Sequence, residues 1–144
     1  MVPDPAPIDP RGPRFNQAVL ALGLAGGFLA DRPVVVPVLA AVLALGAANP
    51  RWGPFLRLYA AAVRPRLGPP AHLEDPRPPR FSSTLGAVVL IAASVAFAAG
   101  APGAGWALAL VVAALAALAA TTGVCIGCEL YVLAARRRVE PRAG

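Results

Sequence analysis

The sequence predicts an all-α membrane protein of four transmembrane helices, arranged as two parallel-repeat helical hairpins joined by a proline- and arginine-rich cytoplasmic connection. Three observations predict it: four long runs without charge, a short block that occurs twice, and arginines gathered between the runs. Of the 144 residues, 58% are hydrophobic and 14% charged, against roughly 45–50% apolar and about 25% charged in an ordinary soluble domain. So short a chain has too little interior to bury that excess, which leaves lipid as its surroundings.

The uncharged runs are Phe15–Ala30, Pro33–Ala48, Phe81–Gly100 and Gly105–Cys128, with apolar character continuing to Ala135. A helical span needs about 20 apolar residues. The first two runs have 16 residues each and reach about 24 Å at 1.5 Å per residue, so they need interfacial flanks or a thinner bilayer. Read as one span, they would place Asp31-Arg32-Pro33 in mid-membrane, and a hairpin is the better reading. The expected organisation is a cytoplasmic segment over 1–14, a hairpin over 15–48, a loop over 49–82, a second hairpin over 83–135 and a basic tail over 136–144. The start is acidic and proline-rich, without a small-residue cleavage pattern after the first run, so that run is expected to remain in the mature protein. Gly23 and Gly27 have the spacing that permits close helix approach in lipid.

Orientation follows from the arginines. All 13 basic residues are Arg, and four spans place 12 of them on one side, with Arg32 alone opposite. The positive-inside bias then puts both termini and the middle loop in the cytoplasm. The net charge of +6 flanks apolar segments, which reads as membrane topology rather than nucleic-acid binding.

Asp9-Pro-Arg-Gly-Pro-Arg-Phe15 recurs as Asp75-Pro-Arg-Pro-Pro-Arg-Phe81, six identities in seven at an offset of 66. Leu58-Tyr59 before Arg64 and Arg66 likewise resembles Leu130-Tyr131 before Arg136 and Arg138, at an offset of 72. The order predicts two copies of one unit, related about an axis along the membrane normal. Between them, the spacing of Phe55, Leu56, Tyr59 and Val63 predicts a short interfacial helix over 52–64. Prolines 65, 69, 70, 76, 78 and 79 predict extended chain from 65 to 79.

Chemistry centres on the only two cysteines, Cys125-Ile126-Gly127-Cys128. A Cys-X-X-Cys pair cycles between dithiol and disulfide or binds soft metal as thiolates, while free cysteines also pack as small hydrophobes. With Arg136–Arg138 marking the aqueous end, a helix running from Trp106 places the pair at the inner hydrocarbon boundary. There no helix N-terminus supplies positive potential, and Glu129 tends to raise a thiol pKa. Cys128, if the more exposed, is the expected attacking thiol, Cys125 the resolving one, and Gly127 the residue that relaxes the helix for a disulfide. Zinc wants four ligands and the chain adds only His72 in the loop, so a metal site would take a dimer; a homo-oligomer stays open. No bound metal or cofactor is expected. The spans hold no ionisable side chain before Glu129, which disfavours a conventional transporter, and no hydrolase triad or phosphate loop is present.

Through Asp9–Phe15, the Arg-Pro-Arg-Leu-Gly-Pro-Pro at 64–70, the Glu-Asp-Pro-Arg-Pro-Pro-Arg-Phe at 74–81 and the Cys-Ile-Gly-Cys-Glu-Leu-Tyr at 125–131, the chain resembles an uncharacterised bacterial membrane family, domain of unknown function 4395, common in actinobacteria. The resemblance runs from about Ile8 to Arg138. It implies an integral protein of a bacterial inner (plasma) membrane with a Cys-X-X-Cys pair, and a thioredoxin-like or sulfurtransferase partner. It supplies no established reaction. Two functions stand against each other: a thiol-active or sulfur-handling component acting through Cys125 and Cys128, or a non-catalytic scaffold recruiting its partner through the cytoplasmic loop.

Overall fold

The computed structural model describes residues 6–139. Residues 1–5 and the end of the basic tail, 140–144 with Arg142, lie outside the described residues.

The uncharged runs become largely helical, because a backbone without polar side-chain competitors satisfies its own hydrogen bonds most fully that way. In chain order the helices are α1 (Arg11–Leu29), α2 (Val35–Ala48), α3 (Pro54–Leu58), α4 (Arg64–Leu67), α5 (Arg77–Ala98), α6 (Pro102–Thr122) and α7 (Ile126–Val139). A 3₁₀ turn, Pro50–Trp52, precedes α3, and a π turn, Tyr59–Val63, joins α3 to α4. Among the described residues the one strand-like feature is an isolated bridge between Ile8 and Glu74, whose N–H groups donate to each other's carbonyls at 2.9 Å.

The long helices α1, α2, α5 and α6 form the bundle. They pack crosswise: α1 lies chiefly on α6 and α2 on α5, with α5 also on α6. One apolar core joins all four, with Leu24, Val36 and Leu90 fully buried and Ala109 and Ala113 beside them. No polar or charged residue among those described is buried there. Gly23 and Gly27 do bring α1 against α2: a Cβ on either would lie 3.1 Å from Leu39 or 3.0 Å from Val35. At the far end Trp106 packs edge-on to Phe28 and Phe97.

Two helices, α5 and α6, are long and apolar enough to cross a membrane. Only 17% of the apolar stretch of α5 and 33% of that of α6 is buried, so their outer faces, with Val88, Ile91, Val95 and Val111, remain exposed. Exposed apolar surface on that scale needs an apolar environment or a partner. α1 and α2 are less extreme. α2 has only 14 residues, and α1 carries Arg11, Arg14, Asn16 and Gln17 in its first two turns.

Three sequence expectations need correction. The fourth apolar run is not one helix to Ala135: α6 ends at Gly123, which adopts a left-handed φ of 77° and donates its N–H to Ala119 at 3.1 Å. Prolines 65, 78 and 79 lie within helices, because the first turn of a helix needs no donor from those positions. α5 therefore starts at Arg77, ahead of the expected span start. The helix expected in the connection does form, with Phe55, Leu56 and Val63 half-buried and Tyr59 buried, but a π turn interrupts it at Tyr59–Val63.

Candidate functional site: a thiol pair beside an arginine-lined cavity

The break at Gly123 sets the surroundings of the cysteines. Val124 and Cys125 follow it without helical structure, and α7 begins at Ile126. Cys125 therefore occupies the N-cap of α7: its carbonyl accepts the first helical bond, from Glu129 N–H at 3.0 Å, and its Sγ accepts the Cys128 N–H at 3.3 Å. A sulfur there meets unpaired N–H groups and the positive end of the helix dipole. This overturns the expectation that no helix N-terminus reaches the pair, an expectation that rested on extending α6 through position 125.

Cys125 Sγ also lies 3.2 Å from Ser82 Oγ on α5. Gly127 makes that approach possible, since a Cβ there would fall 2.6 Å from Ser82 Oγ and 3.0 Å from its Cα. Gly127 thus permits close helix contact. Both cysteines are free and half-buried. The Cys128 thiol donates to Cys125, and with Ser82 and the backbone N–H groups it lowers the Cys125 pKa from 9.0 to about 6 despite partial burial. The same shared proton, burial and the neighbouring Glu129 push Cys128 upward. The helix N-cap thus favours the charged form on Cys125 over Cys128.

The pair lines one side of a cavity of about 1180 Å³ at the end of the bundle where α1 and α5 begin and α2 and α6 finish. Its wall includes Arg11, Arg14, Arg51, Arg57, Arg64 and Arg80, with Asp9, Glu74, Asp75 and Glu129. Some of these charges are committed to the fold. Asp9 accepts from Arg11 at 3.0 Å and from the buried Tyr59 hydroxyl at 2.9 Å. The Arg11 guanidinium holds the Asp9 carboxyl down at about 2, while burial and this carboxylate raise Tyr59. Arg11 also donates to Gly68 O at 2.9 Å, tying the connection to α1. Arg14 donates to Ala120 O at 3.2 Å, and Arg80 donates to Ala47 O at 2.9 Å and Ala48 O at 3.2 Å, so each satisfies the carbonyl end of a neighbouring helix. By contrast, the side chains of Arg51, Arg57 and Arg64 make no hydrogen bond or ion pair among the described residues.

A family model described as domain of unknown function (DUF4395) matches residues 8–136, taking in the bundle, the cavity and both cysteines. The chain belongs to the DUF4395 family. No curated protein and no solved structure matches this DUF4395 chain.

Of the residues singled out by sequence, the structure brings Cys125 and Cys128 together and keeps His72 on the exposed loop, 3.1 Å from Glu74. Among the described residues no group of three or more His, Cys, Asp or Glu is arranged to hold a metal ion. Ser82 was missed, because nothing in the spacing connects position 82 with position 125. The signal for the N-cap was present in Thr121-Thr122-Gly123: a glycine after an apolar run marks a helix C-terminus.

Proposed function

We propose that this DUF4395 protein is a bacterial inner-membrane thiol-disulfide or sulfur-handling component, in which Cys125 attacks and Cys128 resolves. The observation that carries the reading is the N-cap position of Cys125, where helix N–H groups and Ser82 favour a thiolate that opens onto a cavity. Four helices span the bilayer in this reading, α1 and α2 at the short limit. The termini and the cavity face the cytoplasm, as the arginine asymmetry favours, and a cytosolic thioredoxin-like or sulfurtransferase protein is the partner.

The chain in this reading is also two copies of one unit. Several contacts support that. Asp9 and Asp75 accept from the N–H of Arg11 and Arg77 at 3.0 and 2.9 Å. Phe15 packs on Tyr59 and Phe81 on Tyr131 with ring centroids 5.7 and 5.6 Å apart. Arg14 reaches the end of α6 as Arg80 reaches the end of α2. The bridge between Ile8 and Glu74 pairs two residues that are equivalent at the offset of 66, as a two-fold axis through it would require.

The test is capture of the partner through a mixed disulfide. In Cys128→Ser the attacking thiol remains and the resolving one is gone, so a disulfide to the partner should accumulate on Cys125; Cys125→Ser should trap nothing. A scaffold would instead keep partner binding and cellular function in Cys125→Ser/Cys128→Ser and lose them when residues 64–80 become a flexible linker. That outcome, or resistance of both cysteines to alkylation until the membrane is dissolved, would refute the thiol reading.

A further inference from the structure

The cavity carries more cation than the fold consumes. Asp9 is matched by Arg11, Glu74 lies on His72, and Asp75 receives the backbone and side chain of Arg77. Arg14 and Arg80 are held by helix carbonyls. What remains on the wall is Arg51, Arg57 and Arg64, whose side chains have no bonded partner among the described residues, set against Glu129 and Glu74, whose partner His72 is charged only when protonated. These three guanidiniums come from the 3₁₀ turn, α3 and α4, so the connection contributes the cationic wall and α7 contributes the sulfurs. At about 1180 Å³ the space is at least as large as a typical small-molecule site of roughly 300–1,000 Å³. A fork of N–H donors on each guanidinium suits carboxylate, sulfonate or phosphate groups.

We propose that the cavity admits a small anionic disulfide, whose negative groups sit on Arg51, Arg57 and Arg64 while its sulfur meets Cys125. The inference rests on the thiol reading above and adds the class of substrate. The Cys125 thiolate attacks one sulfur of R–S–S–R, forming Cys125–S–S–R and releasing one RS⁻. Cys128 then loses its proton to solvent and attacks Cys125 Sγ, closing the Cys125–Cys128 disulfide and releasing the second RS⁻. Two electrons pass from the dithiol to the small disulfide, which leaves as two thiolates. A partner dithiol returns the electrons by the same exchange in reverse. The arginines act on the first step by concentrating the anion at the thiolate.

The experiment uses the full chain in phosphatidylcholine nanodiscs and three disulfides: the dianion 5,5′-dithiobis(2-nitrobenzoate), neutral 2-hydroxyethyl disulfide and the dication cystamine. Each rate with Cys125 is normalised to the same reagent on a free N-acetylcysteinamide thiolate. A cationic cleft raises association of an oppositely charged ligand by 10-fold or more, so the normalised rate for the dianion should exceed that for the neutral reagent about tenfold, and that for the dication should fall below both. Salt should erode the difference. Arg51→Gln/Arg57→Gln/Arg64→Gln should abolish the preference and leave the neutral rate within about twofold; if the triple variant does not fold, each single variant should lose about two- to threefold of the preference. Equal normalised rates for all three reagents would overturn the substrate class and leave the thiol reading standing. No reaction with any of them would remove both. Loss of the difference between wild type and the triple variant when phosphatidylglycerol replaces phosphatidylcholine would assign the arginines to lipid headgroups and overturn the proposal.

Discussion

The segment after α2 and the segment after α6 present the same aromatic contact to the bundle and opposite chemistry. In both, a tyrosine packs on a phenylalanine in the second turn of a long helix, Tyr59 on Phe15 and Tyr131 on Phe81. Counting back from the tyrosines, Gly53 and Leu56 hold the places that Cys125 and Cys128 hold in the second segment, and Phe55 stands where the second has Gly127. The first segment fills its interface with an aromatic ring and contributes arginines to the cavity. The second narrows its interface to a glycine on Ser82 and contributes sulfur. The difference teaches that the thiol site needs both a cysteine at a helix N-cap and a small residue two positions later that lets the helix approach its neighbour.

The largest expected effect follows from removing the sulfur at the cap. Cys125→Ser should abolish disulfide exchange, and Cys128→Ser should permit the first exchange but stall at the mixed disulfide; intact-mass analysis after exposure to a small disulfide reads both. Matching changes at Gly53 and Leu56 to serine should leave exchange intact. Equal losses in the two segments would break the comparison.

Next in size is the close approach. Gly127→Ala forces its Cβ to within 3.0 Å of the Ser82 backbone, and such overpacking costs about 1–3 kcal/mol. A lower melting temperature should appear together with slower alkylation of Cys125, because displacement of α7 removes the Ser82 contact. Phe55→Ala, a cavity rather than a clash, should lower stability with no change in Cys125 reactivity.

The pH dependence of Cys125 is a third test. Its alkylation rate should rise with the thiolate and reach half its plateau near pH 6, where an unperturbed thiol would titrate near 9. The lowered pKa means that the reactive form is present above about pH 6 and lost below it. Removing the main cause, the thiol of Cys128, should move the midpoint upward in Cys128→Ala. A wild-type midpoint near 9 would show that the N-cap geometry does not stabilise the thiolate.

Much of this architecture was legible in the sequence. Uncharged runs gave the bundle helices, and the spacing of Phe55, Leu56, Tyr59 and Val63 gave the face that turns inward. Boundaries were less legible wherever composition and backbone geometry part company. Residues 105–135 read as one apolar stretch, yet a single left-handed glycine ends the helix, and hydropathy carries no record of φ. Prolines 78 and 79 discourage a helix by composition and start one by position. The partnership of Cys125 with Ser82 depends on how α5 and α7 pack, which no local pattern encodes.

Two acidic caps make the next comparison. Asp9, whose side chain is 7% exposed, holds both Arg11 and Tyr59, whereas Asp75 is 54% exposed. Asp9→Asn should destabilise by about 1–3 kcal/mol, the range for disturbing a buried charged hydrogen-bond network, and Asp75→Asn by no more than about 0.5 kcal/mol. Because the Asp9 pKa lies below its ordinary value, its contribution is complete above about pH 3.8 and fades as pH falls toward 2. Thermal melts across that window should show the loss in wild type and not in Asp9→Asn.

The smallest expected effect separates the two arginines that close helix ends. Arg80 makes bonds of 3.1 and 2.9 Å to Ala47 O and one of 3.2 Å to Ala48 O, while Arg14 makes one of 3.2 Å to Ala120 O. The end of α6 has its own device in Gly123, whose N–H already satisfies Ala119 O. The end of α2 has less, with Asn49 N–H on Leu45 O and the last carbonyls left to Arg80. Exposed charge-assisted bonds of this kind contribute on the order of 0.5–1 kcal/mol. Arg80→Gln should therefore cost about that much and Arg14→Gln less, and the two losses should add, since each guanidinium serves a different helix. Equal losses would mean that Gly123 adds nothing to the termination of α6. A larger loss for Arg14 would place the greater need for a cap beside the cysteine pair, where the chain must stop one helix and start the next within three residues, Gly123 to Cys125.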